Sequence, residues 1–292
     1  MSEDVLINVT PMEIRVALVE NGVLQEVYIE RATRKGIVGN IYQGKVVRVL
    51  PGMQAAFVDI GLEKAAFIHV SEVAERDAVN PSDQIGDYLR EGQSLVVQVT
   101  KDPISSKGAR LTTHLSIPSR YLVYMPDQSH VGVSQRIEDE TERERLKQLV
   151  STALTQADET SGYILRTAAE GAGEEEILAD IKFLTRLWQS VKKRTTTAKA
   201  PSVIYDDLPL HLRTMRDLVS LKTEKIRIDS RENYAKLKAF AEEFIPEVAQ
   251  RVEYYPGERP IFDIHSVEDE IQKALDRKVQ LKSGGYLLVE QT

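Results

Sequence analysis

The sequence contains no cysteine among its 292 residues, which excludes disulfide bonds and thiolate metal ligands. Its five histidines are scattered, and none has the spacing to another that a histidine metal site requires. No apolar run is long enough to cross a bilayer, and the first residues show no secretion signal. We therefore expect a soluble, cytoplasmic protein that holds no metal ion and has no membrane partner.

Positive charge is also in short supply. The chain carries 38 Lys and Arg against 45 Asp and Glu, a formal net charge of -7. A protein that coats nucleic acid through bulk electrostatics would be basic, so this class is excluded, whereas a local basic groove is not. The acidic residues concentrate in 138–147 and 173–180, while 31–36 and 45–49 are basic.

The chain is long enough for two or three domains, and its composition is that of a globular protein. At the N-terminus we predict strands at 5–9, 13–20 and 23–30, with Asn21-Gly22 as a tight turn between the last two.

Five short strand candidates follow Gly39. A polar insert, 71–92, which we expect to be partly helical, separates the third strand from the fourth. Five strands with a longer connection after the third are typical of an OB-type barrel. The five strands are predicted at 41–50, 53–61, 64–70, 94–101 and 109–115.

The remainder mixes strands and helices, so the predicted fold class is α+β with several subdomains. Pro246 is expected to bend or break one helix, and the composition of 192–202 predicts a linker. Strands are predicted at 121–125, 130–137 and 224–230, a strand that runs into a loop at 161–171, and a Gly-Gly turn that opens a strand at 282–292. Helices are predicted at 141–154, 177–191, 208–219, 233–252 and 267–279.

Two aromatic residues of the barrel, Phe57 and Phe67, each follow an Ala-Ala pair. On the outer face of a small barrel, such rings stack on unpaired bases for roughly 1–3 kcal/mol each. Lys45, Lys101 and Lys107 would supply charge for the backbone of a single-stranded nucleic acid around the same surface. The alternative, that both rings fill the barrel interior, stays open, since Phe is commonly a core residue.

A second candidate site is Arg166-Thr167, which follows a predicted strand. A guanidinium grips a terminal phosphate in bidentate fashion, and a neighbouring hydroxyl adds a directional hydrogen bond. The alternative is an ordinary ion pair of Arg166 with Glu170 or Glu174.

Several uncommon strings occur in one order along nearly the whole chain. Together they resemble the bacterial ribonuclease E/G family, with details nearer to its ribonuclease G branch. The strings are GNIYQGKVVRVLPGMQAAFVDIG (39–61), KGARLTT (107–113), RYLVYMP (120–126), ILRTAAEG (164–171) and RKVQLKSGGYLLVEQT (277–292).

The resemblance implies roles for the residues of the barrel. Phe57 and Phe67 match the two phenylalanines on the RNA-facing surface of the family's S1-type domain. Lys107 matches the lysine before the Gly-Ala of the last barrel strand, and Lys101 lies upstream of it.

It also implies roles for residues of the second site. Arg166 and Thr167 match the pair that senses the 5′ end of the RNA, and the backbone of Val123 matches a supporting contact. Arg136 matches a further basic RNA contact, whereas Gln135 stands where ribonuclease E has a basic residue.

The resemblance further implies a domain organisation. Residues 1–37 and 205–280 would form a discontinuous RNase H-like subdomain, which is interrupted by two others. Residues 38–118 would form the S1-type OB barrel and 119–204 the 5′-end sensor. Residues 281–292 would be the first strand of a DNase I-like nuclease subdomain.

The implied activity is single-strand-specific RNA cleavage that favours a 5′-monophosphate, in ribosomal RNA maturation and messenger RNA decay. In the full-length family enzyme, two aspartates hold Mg²⁺ and a Cys-x-x-Cys zinc link joins the protomers of a homo-oligomer. Both would lie beyond residue 292, so we expect this chain to bind RNA without cutting it. No catalytic residue is predicted, because the acidic groups 206–207, 268–270 and 174–176 are interpreted as surface or helix-start residues.

Two other functions stay open. The chain could be a stand-alone RNA-binding regulator or ribosome-associated factor without nuclease activity. It could also be a structural scaffold, in which both phenylalanines are core residues and Arg166 belongs to an ion pair.

Overall fold

The chain forms two compact units. One is Gly36–Asp207, and the other combines Met1–Lys35 with Leu208–Thr292. The structure is a computed structural model, and it describes residues 2–34, 36–73, 84–105, 107–157, 160–219, 222–281 and 283–290.

Short strands and a few longer helices alternate along the chain. The strands are β1 (Glu3–Val9), β2 (Glu13–Glu20), β3 (Val23–Arg31), β4 (Ile41–Leu50), β5 (Ala55–Asp59), β6 (Ala66–His69), β7 (Ser94–Lys101), β8 (Arg110–Thr112), β9 (Ile117–Pro118), β10 (Leu122–Met125), β11 (Val131–Val133), β12 (Gly162–Leu165), β13 (Ser202–Tyr205), β14 (Thr223–Ile228), β15 (Val252–Tyr254), β16 (Lys278–Gln280) and β17 (Tyr286–Leu288). The helices are α1 (Ile85–Tyr88), α2 (Glu140–Ala157), α3 (Glu174–Thr197), α4 (Leu210–Asp217), α5 (Arg231–Phe244), α6 (Pro246–Ala249) and α7 (Val267–Ala274).

The unit that holds both ends of the chain is built on a five-stranded sheet of order β15-β14-β1-β2-β3. Strands β1, β14 and β15 run parallel, and β1, β2 and β3 form an antiparallel meander. Asn21 and Gly22 both have positive φ in the turn between β2 and β3, as the sequence predicts. Leu6, Val19 and Phe262 are buried in one cluster of its core.

In the other unit, strands β4 to β8 close into a barrel. The sheet order is β13-β4-β5-β6-β8-β7, and β4 also pairs with β7, which joins the two edges. The interior holds buried Val46, Val58, Ile68, Val97 and Leu111. The predicted five-stranded OB-type barrel is therefore confirmed, and so is the α+β class.

A four-stranded sheet of order β11-β12-β10-β9 follows the barrel in the same unit. Helix α2 contacts β11, and α3 contacts β10. Leu146 and Val150 of α2 are buried, as are Ile181 and Leu184 of α3, so each helix turns one apolar stripe inward.

The linker predicted at 192–202 is wrong over most of its length. Helix α3 continues to Thr197, and β13 begins at Ser202 and pairs with β4. After buried Val191, the last turns of α3 expose Lys192, Lys193 and Arg194. The polar residues that suggested a linker are therefore the solvated end of a helix. A helix needs only one apolar stripe, and polar composition alone does not separate its exposed end from a linker.

The predicted helix at 267–279 ends earlier, at Ala274. Residues Lys278–Gln280 form β16 instead, which pairs antiparallel with β17. The break at Pro246 is confirmed, because α5 ends at Phe244 and α6 begins at the proline. Of the polar insert 71–92, only Ile85–Tyr88 is α-helical among the described residues, and 74–83 lie outside them.

Within the described part of the chain, no helix combines the length and the apolar character that crossing a bilayer requires. The RNase H-like assignment of the terminal unit, the division of the other unit near residue 118, and the nuclease strand at 281–292 stay predictions. Residues 282, 291 and 292 lie outside the described ranges.

Candidate nucleic-acid interface

Phe57 and Phe67 face outward from the barrel. They lie directly opposite each other on β5 and β6, with ring centroids 6.1 Å apart at 68°. Both rings are half-buried, whereas Val58 and Ile68, the next residue on each strand, are completely buried. Because side chains alternate along a strand, the core takes the valine and the isoleucine and leaves both rings on the surface.

The two rings belong to a row of side chains that runs across the barrel sheet. Neighbours in the row are opposed in the β-ladders, so their side chains share one face of the sheet. A cation thus lies at each end, beyond the aromatic pair. From β4 to β7 the row is Arg48, Phe57, Phe67, Arg110 and Lys101.

The row forms part of a groove of about 940 Å³. Its apolar part includes both rings and three exposed aliphatic side chains, and its polar part is mainly cationic. The aliphatic side chains are Val47, Met53 and Ile104, and the charged residues are Arg48, Lys64, Lys101, Asp102, Lys107 and Arg110.

The cations of the groove are available to an anion. Among the described residues, no ion pair involves any of the five. The single acid, Asp102, accepts a hydrogen bond from the backbone N–H of Ile37 at 2.7 Å. Lys64 donates to the carbonyl of Ser105 at 2.6 Å, which leaves two of its three N–H groups available. The groove therefore attracts anions.

Lys107 is held at the groove by a tight turn. Ile104 and Lys107 exchange backbone hydrogen bonds of 3.1 and 2.9 Å. At the next residue, Gly108, a Cβ would lie 2.0 Å from the carbonyl oxygen of Ala65. The chain therefore passes so close to β6 that only glycine fits.

The structure brings Lys101 and Lys107 into the groove but not Lys45. Lys45 is exposed and opposes Asp59 in the β4–β5 ladder, outside the groove lining. The sequence reasoning missed Arg48, Lys64 and Arg110. The signal available for Arg110 was its position beside the KGA string, immediately before a buried leucine.

Arg166 lies at the end of β12 and is exposed. Its Nη1 donates to the carbonyl oxygens of Ser119 and, at 3.4 Å, Arg120. Among the described residues, Nε and Nη2 have no acceptor, and no ion pair joins Arg166 to Glu170 or Glu174. The guanidinium is thus fixed by one nitrogen and keeps its other edge available.

Thr167 and Arg136 meet at Ser134, a residue that the sequence reasoning missed. The hydroxyls of Thr167 and Ser134 are 3.3 Å apart, and the backbone N–H of Arg136 donates to the Ser134 hydroxyl at 3.3 Å. Ser134 is tied to β12 by its own N–H, which donates to the carbonyl of Leu165 at 2.8 Å. The side chain of Arg136 is exposed.

Val123 lies on β10, opposite Ile164 of β12, two residues before Arg166. Val123 and Ile164 are half-buried, whereas Tyr124 and Tyr163, which point to the other face, are buried. Val123 is therefore on the open face of this sheet, and no hydrogen bond joins it to Arg166 among the described residues.

Asp180 of α3 anchors the segment that holds Arg166. This buried carboxylate accepts hydrogen bonds from the Ser119 hydroxyl and from the backbone N–H groups of Tyr121, at 2.9 Å, and Leu122, at 3.0 Å. Burial raises the pKa of Asp180, and these hydrogen bonds oppose the rise.

Among the described residues, no three His, Asp or Glu side chains stand close enough together to hold a metal ion. The acidic groups considered above have other partners. Asp206 accepts from the Asn40 amide at 2.8 Å, and both carboxylate oxygens of Glu268 accept from Nη1 of Arg15, at 3.2 and 3.1 Å. The described residues therefore do not fit the family's Mg²⁺.

Two family profiles match the chain. The one described as the S1 RNA binding domain matches residues 35–105, which include the strands β4 to β7 and both phenylalanines. The one described as the Ribonuclease E/G family matches residues 116–292.

The curated relatives agree with these matches. Ribonuclease G of Escherichia coli (strain K12) is 52% identical over 300 residues, covering 100% of this chain and 61% of the relative. Ribonuclease G of Haemophilus influenzae is 53% identical, covering 99% of this chain and 60% of the relative. Ribonuclease E of Haemophilus influenzae is 36% identical, covering 98% and 31%.

The chain thus spans about three-fifths of the length of the ribonuclease G relatives that it matches. Identity is higher to these than to the ribonuclease E relative, in agreement with the branch that the sequence strings indicate. Because the family profile covers more than half of the residues, this chain belongs to the ribonuclease E/G family.

Proposed function

We propose that this chain is the RNA-binding and 5′-end-recognising part of a single-strand-specific endoribonuclease of the ribonuclease G kind. Its RNA partners are ribosomal RNA precursors and messenger RNAs with a 5′-monophosphate, in the cytoplasm. The observation that carries the proposal is the groove with two phenylalanine rings between cationic ends.

The chemistry of the groove favours single-stranded RNA over a duplex. Stacking requires a base whose face is exposed, and the bases of an A-form duplex are already stacked on each other. Phe57 and Phe67 supply aromatic surface for unpaired bases, and the cations at both ends of the row supply charge for the phosphates. No groove residue needs to read base identity, so the site is tolerant of sequence.

The second site is proposed to bind the 5′-monophosphate. The open edge of Arg166 matches two phosphate oxygens, and the next residue, Thr167, adds a hydroxyl that lies 3.3 Å from the hydroxyl of Ser134. Arg136, whose backbone N–H donates to the Ser134 hydroxyl and whose side chain is exposed, adds positive charge to the site. The backbone of Val123 is the supporting contact that the family resemblance adds. A triphosphate carries extra groups for which this set of donors offers no partners.

Cleavage is the activity proposed for the whole protein through its family, with Mg²⁺ as its cofactor and a homo-oligomer as its assembly. Since the described residues do not fit Mg²⁺ and the sequence contains no cysteine for a thiolate zinc link, the roles proposed here are binding and positioning of RNA. No bond-breaking step is derived from these residues.

The test is a fluorescence anisotropy titration with a short 5′-phosphorylated single-stranded RNA. Replacing Phe57 and Phe67 with alanine together should weaken binding at least tenfold, because each lost ring removes roughly 1–3 kcal/mol of stacking. Tyr254→Ala, an exposed aromatic residue of the other unit, is the control. Unchanged affinity of a folded double variant would refute the proposal.

A further inference from the structure

Asp180 is a buried acid with no cation paired to it in the described part of the chain. It is 7% exposed, and no ion pair of the described residues involves it. A buried carboxylate without an ion pair is costly unless hydrogen bonds satisfy it. Within the described ranges, every such bond comes from one short segment, residues 119–122.

Three consecutive backbone N–H groups of this segment point at the carboxylate. Those of Tyr121 and Leu122 donate at 2.9 and 3.0 Å, and that of Arg120 is also hydrogen-bonded to Asp180. The Ser119 hydroxyl is the fourth donor.

The carbonyl groups of the same three peptide units point at Arg166. The carbonyls of Ser119 and Arg120 accept from Nη1 of Arg166, and the carbonyl of Tyr121 accepts from its backbone N–H at 2.8 Å. In a planar trans peptide, N–H and C=O point in opposite directions. Three peptide units therefore stand between Asp180 and Arg166, with their positive ends toward the acid and their negative ends toward the arginine.

The geometry points to Asp180 as the positioning residue of the phosphate-binding guanidinium. By drawing the three N–H groups inward, the carboxylate turns the three carbonyls outward and polarises them, which strengthens their bonds to Arg166. One nitrogen of the guanidinium is thereby fixed and its other edge is aimed at the ligand. This inference rests on the proposed 5′-monophosphate site and adds the residue that orients it.

The test uses the full chain and two RNAs that differ only at the 5′ end, one phosphorylated and one with a hydroxyl. The measured quantity is the ratio of their dissociation constants. Asp180→Asn keeps the shape and one acceptor oxygen but loses the charge. We expect it to lower the preference for the phosphorylated RNA by about 3- to 10-fold, because part of the strength of one charge-assisted hydrogen bond is lost. The affinity for the hydroxyl RNA should not change.

The matched control is Glu176→Gln on the same helix. Glu176 accepts from the Tyr121 hydroxyl at 3.2 Å but does not touch the three peptide units, so the preference should stay unchanged. Arg166→Lys, combined with Asp180→Asn, separates positioning from a general structural role. If Asp180 acts through Arg166, the double variant should show no lower preference than Arg166→Lys alone.

The outcomes separate the two ideas. If Arg166→Lys leaves the preference unchanged, the phosphate site itself is refuted. If Arg166→Lys lowers it and folded Asp180→Asn does not, only the positioning role is overturned.

A measurement on the unmodified protein covers the case in which Asp180→Asn does not fold. The backbone amide resonances of Arg120 and Tyr121 should shift with phosphorylated RNA and not with the hydroxyl RNA. A shift of the Arg166 side-chain resonances without any shift of these amides would overturn the inference.

Discussion

Arg110 lies directly opposite Phe67 in the β6–β8 ladder, and Phe57 lies opposite the same ring in the β5–β6 ladder. Phe67 therefore has a phenylalanine opposite it on one neighbouring strand and an arginine opposite it on the other. In the proposed function, a base stacked on the two rings would leave its phosphate near one of these cations, so the row would serve as a continuous surface for a single strand.

The first prediction concerns the charges of the row. Arg110→Gln or Arg48→Gln should weaken RNA binding and lower the slope of log affinity against log salt by about 0.7 each, the share of one phosphate contact on a single strand. Titrations at several salt concentrations measure this slope.

Two cations outside the groove lining serve as comparisons for this prediction. Arg90→Gln, at an exposed residue of the connection between α1 and β7, should leave the slope unchanged. Lys45→Gln should have a smaller effect than Arg110→Gln, because Lys45 opposes Asp59. Equal slopes for the Arg110→Gln and Arg90→Gln variants would show that Arg110 does not contact the RNA.

The second prediction separates stability from binding. Phe57→Ala should cost less than the 3–5 kcal/mol typical of a buried Phe, because its ring is half-exposed and packs edge-to-face on Phe67. Ile68→Ala, at a completely buried position, should cost about 2–5 kcal/mol. Urea unfolding measures both. A larger loss for Phe57→Ala than for Ile68→Ala would mean that the ring is a core residue.

The order and type of most elements could be predicted because apolar periodicity and turn residues determine them locally. Asn21-Gly22, the five barrel strands and the break at Pro246 are of this kind. The outward direction of the two phenylalanines could not be decided from alternation alone. Alternation places Phe57 and Val58 on opposite faces of β5, and Phe67 and Ile68 on opposite faces of β6. Because the residues before each ring are small, the sequence does not show which of the two faces is the core until the partner strands are known.

Arg48 could not be predicted from local pattern. Simple alternation from exposed Lys45 would place Arg48 inside the barrel. An irregularity between Val46 and Arg48 in the β4–β5 ladder inserts one residue and turns Arg48 outward, opposite Phe57. Such a bulge depends on the partner strand, and so does the meeting of Ser134 with Thr167, which come from separate segments.

The third prediction concerns Gly108. A Cβ there would lie 2.0 Å from a backbone oxygen, so Gly108→Ala must displace the turn that carries Lys107. It should destabilise the protein by about 1–3 kcal/mol and weaken RNA binding. Gly86→Ala is the control, because no atom lies within 4 Å of its Cβ position and alanine favours the helix. Similar melting temperatures for the two variants would contradict the close approach.

The last prediction concerns acid stability at the second site. Glu142 of α2 accepts two bonds from Arg145, each 2.7 Å, and one from the backbone N–H of Gly171 at 2.8 Å. These contacts, the Arg145 side-chain bonds above all, lower the pKa of Glu142 from 4.5 to about 2. A lowered pKa in the folded state contributes stability that is present above pH 4.5 and is lost as the pH falls toward 2.

Glu142→Gln should therefore remove part of the acid sensitivity of unfolding, while Glu144→Gln on the same helix should not. Urea unfolding at pH 6 and pH 3 measures the difference, and comparison with the unmodified protein cancels the other carboxylates. Gly171 follows the turn that Arg166 begins. When Glu142 is protonated, its hydrogen bond from the Gly171 N–H weakens, so the second site should also become less ordered on acidification. An equal drop in stability for Glu142→Gln and the unmodified protein would show that the contact contributes nothing to folding.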